Sequence, residues 1–195
     1  MTEKKDTRIN DIIEAALNEF LEKGYETASM ESIALRANLS KGGLYHHFKS
    51  KTEILYAVNM KFMEPIGDIA MKIETAPSIG IGLKKFIEDY LHYWADHRRE
   101  LSLYFYTMNI SFNNQQIMDY YRVVAKSFFD FIELCFIKGQ NDGIFKTRDA
   151  KSHAVALISC LDGYLAYMLI DPELNTGKII SEIQATYIDD LLVQI

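Results

Sequence analysis

The sequence predicts an all-α fold in which a three-helix head, residues 1–52, is joined to a longer helical body, residues 53–195, with about nine helices in all. Three observations carry that prediction. Apolar residues recur at the 3.6-residue period of an amphipathic helix through almost the whole chain. Ser, Asn and Asp stand where such stripes begin, where a side-chain oxygen can accept from an otherwise unpaired backbone N–H. The only prolines, at positions 65, 77 and 172, punctuate long periodic runs.

The first helix starts near Thr7 and sets Ile9, Ile12, Ile13, Ala16, Leu17, Phe20 and Leu21 on one stripe, until Gly24 stops it. Ser29 caps a short second helix carrying Met30, Ile33, Ala34 and Ala37. Asn38 takes the turn, since Asn follows Gly in tolerance of the left-handed conformation. Ser40 caps a third short helix anchored by Leu44 and Phe48, one turn apart. Ser50-Lys51-Thr52-Glu53 reads as a capping box that opens a fourth helix, running to about Glu74 and bent near Pro65. Three helices in about forty residues, with a three-residue turn between the second and third, make a helix-turn-helix.

In the body, residues 77–80 form a loop, and a fifth helix carries Leu83, Phe86, Ile87, Tyr90, Leu91 and Trp94. A sixth covers about 98–108, and a capping box from Asn113 to Gln116 opens a seventh that reaches about residue 140. Asn141-Asp142-Gly143 is a turn, and Asp149 caps an eighth helix ending at Ile170. The last spans about 176–193, with Ile179, Ile180, Ile183, Tyr187, Ile188, Leu191 and Leu192 on its stripe. The chain shows no internal repeat and no low-complexity tract.

Composition narrows the function classes. No run approaches the roughly 18–20 uninterrupted apolar residues of a membrane span, so no membrane partner is expected. The charged start MTEKKDTR does not read as a signal peptide. Cys135 and Cys160 form no CxxC pair and sit in apolar surroundings, which suits a reduced, cytoplasmic protein with inert thiols. The net charge of −6 argues against nucleic acid, but its distribution reverses that reading. Residues 1–51 balance eight basic against eight acidic side chains, so residues 52–195 hold all of the excess. Between 32 and 51 there is no acid at all, against Arg36, Lys41, Lys49 and Lys51. A small basic face on an acidic body is the electrostatic footprint of a DNA-reading head.

Residues 7–55 resemble the DNA-binding head of TetR-family transcriptional regulators. The resemblance rests on Phe20-Leu21-Glu22-Lys23-Gly24-Tyr25, on Ser29-Met30-Glu31-Ser32-Ile33-Ala34, and on the run from Leu39 through Lys51, LSKGGLYHHFKSK. It covers about a quarter of the chain and departs from the family at Asn38, where glycine is usual. The remainder is similar only in length and helical layout. The resemblance implies a homodimer whose interface is a four-helix bundle from the last two helices of each subunit. It also implies a palindromic double-stranded DNA operator, a small-molecule pocket in the body, and repression relieved by the ligand. A TetR-like activator is the alternative within this class.

The residues support a DNA-facing surface on their own account. A helix N-terminus offers unpaired N–H groups and a positive dipole end to a phosphate. Gly42 and Gly43 stand in such a first turn, where missing side chains let backbone approach DNA. Lys41, Tyr45, His46 and His47 face away from the Leu44–Phe48 stripe, and Lys51 is placed to neutralise a phosphate. Ser29 and Ser40 complete the DNA-binding candidates, while Met30 stands where the family often has a hydroxyl and Arg36 is a weaker candidate. Adjacent histidines point about 100° apart on a helix and do not chelate one metal together.

In the body, Phe62, Tyr90, Tyr93, Trp94, Tyr104, Phe105, Met108, Tyr121 and Phe128 are the candidate ligand-lining residues, whose aromatic walls and phenolic hydroxyls suit a hydrophobic effector, aromatic or cationic. Leu157, Leu161, Leu165, Ile180, Ile183, Tyr187 and Leu191 are the candidate dimer interface. Asp89, His92 and Asp96 share a helix face and have metal-competent side chains, which leaves a metal-binding helical bundle or enzyme as the rival from another class. Paired Glu-x-x-His motifs, a phosphate loop and nucleophile motifs are absent from the sequence. No catalytic residue, cofactor or metal is therefore expected.

Overall fold

The computed structural model describes residues 2–193, with side chains from residue 7 onward. Among the described residues there are nine α-helices, α1 (Thr2–Lys23), α2 (Met30–Arg36), α3 (Lys41–His47), α4 (Lys51–Thr75), α5 (Ile79–Asp96), α6 (Arg98–Ser111), α7 (Gln115–Asn141), α8 (Ala150–Ile170) and α9 (Thr176–Tyr187). They form two compact units that divide inside α4, Met1–Pro65 and Ile66–Ile195. Pro65 lies within α4, which continues past it.

The first unit is built as its local chemistry dictates. Ile12, Ala16, Leu17 and Phe20 of α1 are buried with Ile33 and Ala34 of α2, Leu44 and Phe48 at α3, and Ile54, Leu55 and Val58 of α4. Gly24 and Asn38 both take positive φ, 78° and 54°, so each ends a helix in the left-handed conformation its side chain tolerates. Ser29 and Ser32 exchange hydrogen bonds across the first turn of α2, a reciprocal cap. At α4 Ser50 Oγ accepts from Glu53 N at 3.1 Å, as an N-cap does, while the Glu53 carboxylate reaches one residue further back and accepts from Lys49 N at 2.5 Å. The first half of α4 is tied to the head by Tyr25 and Thr52, whose hydroxyls lie 2.9 Å apart, and by Lys61 Nζ on Glu14 at 2.8 Å.

In the second unit α7 packs on α5, α6 and α8, while α9 packs on α5 and α8. Ser78 turns out to be an N-cap, accepting from Ile81 N at 3.3 Å, so α5 begins inside the expected loop. Asn114, not Asn113, caps α7. The last helix ends at Tyr187, six residues short of expectation. A 3₁₀ turn, Asp189–Leu191, follows it, and the chain then pairs with the α7–α8 loop. Lys146 N donates to Leu191 O at 2.8 Å and Val193 N to Ile144 O at 2.9 Å, closing a bridge between Phe145 and Leu192. Strand-like pairing withdraws these backbone groups from a helix. By length and composition α8 is apolar enough to cross a membrane, with a mean hydropathy of 1.5, yet Ala154, Leu157, Ile158, Leu161, Leu165 and Met168 are buried within the chain.

Candidate nucleic-acid interface

The seven residues of α3 separate into a clamp and a face. Leu44 is wholly buried and Phe48 nearly so, and burial of two such side chains stabilises the helix position by roughly 3–6 kcal/mol. Ser40 caps the helix by accepting from Gly43 N at 3.1 Å. The opposite face, Lys41, Gly42, Tyr45 and His46, is exposed. The Tyr45 hydroxyl makes no hydrogen bond to any described residue. The half-exposed His47 stacks edge-on against His46, ring centroids 5.3 Å apart.

The two glycines have different reasons. A Cβ on Gly42 would meet nothing within 4 Å, so no neighbour inside the chain requires its absence. A Cβ on Gly43 would lie 3.3 Å from Ser40 Oγ and 3.6 Å from Leu39 Cδ2, which ties that glycine to the cap. Open space in front of Gly42 is what approach by an external surface needs.

The acid-free window in the sequence is not acid-free in space. Lys41 pairs with Glu31 of α2, which raises the lysine and lowers the carboxyl from their ordinary values through the hydrogen bond between them. Arg36 reaches Glu19 at 2.9 Å and also Glu22, so it braces α2 on α1. Glu19 is buried; burial pushes its carboxyl up, but hydrogen bonds from Lys23 and Ser32, with the charges of Lys23 and Arg36, bring it below the usual range. Lys51 turns inward, donating to the carbonyls of Tyr25, of Glu26 at 3.2 Å and of Ala28 at 2.8 Å, with its ammonium 4.3 Å from the centre of the Tyr25 ring. Burial holds that ammonium below the usual lysine value. Lys51 thus closes the α1–α2 turn, and Ser29 spends its hydroxyl on the α2 cap. Met30 is buried. Lys49, exposed and with its ammonium on the Tyr45 carbonyl at 2.9 Å, joins the outward face, though sequence reasoning counted it only as charge.

In the second unit the candidate ligand residues converge in part. Tyr90 and Trp94 of α5 are buried. Tyr104 and Met108 of α6 and Tyr121 and Phe128 of α7 keep some accessible surface. Tyr104 lies 5.9 Å from both Trp94 and Tyr121, and Tyr90 stacks on Phe128 at 6.5 Å. Burial nevertheless pushes the phenols of Tyr104 and Tyr121 well up, so these rings are wetted on one side and surrounded on the others. Phe105 packs on Tyr104, and Tyr93, pushed up to about 12 by burial, stacks on His97 at 4.2 Å. Phe62 belongs to the first unit.

Sequence reasoning missed Asp162. This α8 carboxylate accepts from the Tyr90 hydroxyl at 3.3 Å, and burial pushes it from 3.8 up to about 6. Its only signal in the sequence is an acid in the apolar run SCLDGYLAY.

Of the expected dimer residues, Leu157, Leu161, Leu165, Ile180, Ile183 and Leu191 are buried within the chain's own core, and Tyr187 accepts through its carbonyl from His153 Nε2 at 2.9 Å. The apolar surface left outside on α8 belongs to Val155, Tyr167 and Ile170, the last two 65% and 76% exposed. Asp89 pairs with Lys85 at 2.9 Å, and among the described residues no three metal-competent side chains converge. Cys135 is buried and pushed up to about 12 by burial, far from a reactive thiolate at neutral pH.

Comparison with known proteins places this geometry. Residues 12–58 match the model of the bacterial regulatory proteins, tetR family. The chain is 28% identical to the HTH-type transcriptional regulator YerO of Bacillus subtilis over 98% of its length and 64% of that protein's. It is 27% identical to the HTH-type transcriptional activator FasR of Mycolicibacterium smegmatis over 89% of this chain and 64% of the other. The chain thus spans less than two thirds of the length of these relatives. Its fold is similar to that of SmeT, repressor of the SmeDEF multidrug efflux pump of Stenotrophomonas maltophilia, with a TM-score of 0.78 at 19% identity over 95% of this chain and 91% of SmeT. Helix order, the capped turn at Asn38 and the matched segment agree on one conclusion: residues 12–58 form a head of the bacterial regulatory proteins, tetR family, and the chain as a whole is similar to such regulators.

Proposed function

We propose that the chain is a sequence-specific DNA-binding transcriptional regulator that acts as a homodimer and is released from its operator by a small hydrophobic or aromatic effector. The observation that carries the DNA reading is the outward face of α3. Gly42 fronts open space and Tyr45 holds an unengaged hydroxyl, on a helix clamped by Leu44 and Phe48. Such a face suits contact with base edges and thymine methyls in the major groove, with Lys41 and Lys49 supplying charge near phosphates. A dimer presents two such helices to successive major grooves about 34 Å apart, which calls for a two-fold operator.

The effector reading is supported by the partly wetted aromatic rings of α6 and α7, set against the buried Tyr90 and Trp94 of α5. α4 carries the backbone from the head into the body without a break, and is the element through which an occupied body would bias the head. An effector shifts that balance only by its differential affinity for the two forms. Repression or activation then follows from where the operator lies relative to the promoter.

Selection of duplexes from a random pool by the full chain tests this. The expected product is one motif in two inverted half-sites about one helical turn apart. Recovery of unrelated sequences with no shared motif would contradict it.

A further inference from the structure

Tyr104, Tyr121 and Phe128 keep accessible surface where they surround Asp162 of α8, which is likewise part-exposed, and the recess they outline holds that carboxylate without a balancing charge. Asp162 sits among Tyr90, Tyr104 and Tyr121, and among the described residues its side chain accepts one hydrogen bond, from the Tyr90 hydroxyl at 3.3 Å. Among the described residues it makes no ion pair, although twelve such pairs hold other acids or bases of the chain. It keeps part of its surface accessible while Tyr90, against it, is buried. The buried Trp94 Nε1 makes no hydrogen bond of ordinary geometry, although the Tyr90 hydroxyl is near it. A carboxylate drawn out of bulk water without a counter-charge is costly, and a bound cation offsets that cost. The faces of Tyr104, Tyr121 and Phe128 are attractive to the same charge.

We propose that the recess between α5, α6, α7 and α8 takes an organic cation with an aromatic or apolar body, its charge held by Asp162. The proposal rests on the effector-binding reading and names the ligand class of that site. An anionic amphiphile of the same shape would face an uncompensated like charge and be rejected. Among the described residues, Tyr90, Tyr104 and Tyr121, from α5, α6 and α7, are the titratable groups that face Asp162; all three are raised, so they stay neutral while the carboxyl titrates near 6.

Trp94 is the single tryptophan of the chain and lies at the recess, so its emission reports occupancy. The probes are three compounds with one biphenylalkyl body, ending in trimethylammonium, carboxamide or carboxylate, titrated into the full chain by fluorescence and calorimetry. The ammonium is expected to bind tightest and the carboxylate weakest. Asp162→Asn should cut ammonium affinity on the order of tenfold to a hundredfold, the range of one charged contact, and leave the carboxamide nearly unchanged. Asp162→Glu, which keeps the charge, should keep the preference. Ammonium affinity in the wild type should fall as pH drops through about 6, and in Asp162→Asn it should not. Equal binding of ammonium and carboxamide, tightest binding of the carboxylate, or an Asp162→Asn chain that binds ammonium as the wild type does, would overturn the cation assignment and leave the effector site standing. If none of the three binds while the chain still binds its selected duplex, both the cation assignment and the effector reading fall and the DNA reading remains.

Discussion

Single residues carry distinct and separable duties. Gly42→Ala should leave the melting temperature unchanged or slightly raised, since Ala is the better helix former and nothing crowds the site, yet should weaken duplex binding. A stable variant with unaltered affinity would show that nothing approaches that backbone. Asn38 holds φ at 54°, so Asn38→Ala should cost about 1–2 kcal/mol by denaturant unfolding, while Asn38→Gly should cost little. Asp162 makes a pH prediction. Its carboxyl is raised from 3.8 to about 6 in the folded chain, so the folded state binds the proton more tightly. Its contribution to stability is complete below about pH 4 and is lost as pH rises through about 6. Asp162→Asn should therefore be more stable than the wild type at pH 7.5, by up to about 3 kcal/mol at 1.36 kcal/mol per unit, and equal to it at pH 4. Parallel stability curves across that range would contradict the burial argument. None of this was legible at Asp162, because Tyr90 is far away in sequence and only tertiary packing joins them. Asn38, by contrast, was readable from local chemistry alone.

At the scale of elements, caps and stops were legible where one side chain decides them. Gly24, Ser29, Ser40 and Asp149 end or begin helices as their chemistry requires. The end of α9 was not legible, because its apolar stripe runs on through Leu192 while the backbone there pairs with the α7–α8 loop. Lys51 shows the same limit for the site: its position marks a charge near the head, but three carbonyls of the α1–α2 turn claim its ammonium. Close helix packing gives a further test. A Cβ on Gly82 of α5 would lie 2.5 Å from the Ile73 carbonyl oxygen of α4, backbone that has no rotamer to yield. Gly82→Ala should cost at least about 1–3 kcal/mol as an overpacking change. Gly67→Ala, where a Cβ meets nothing, should be neutral or stabilising by thermal melting.

For the whole molecule, residues 52–195 hold the acidic excess while residues 1–51 are balanced in charge. Under the proposed reading that acidic excess disfavours DNA, and association would depend on the few cations near α3, two of which, Lys41 and Arg36, already have acidic partners in Glu31, Glu19 and Glu22. The proposed dimer must use what the subunit core leaves outside, and on α8 that includes Tyr167 and Ile170. Tyr167→Glu should convert a dimer to a monomer in sedimentation velocity with little change in the melting curve; a variant that still sediments as a dimer would move the interface elsewhere. The central claim is that the exposed face of α3 reads DNA, and it is tested most directly by anisotropy titration of the selected duplex at fixed salt with wild type and Tyr45→Ala. Tyr45→Ala should lose about 1–3 kcal/mol in binding free energy with the fold intact; equal affinity of the two proteins would mean that this face does not touch the duplex.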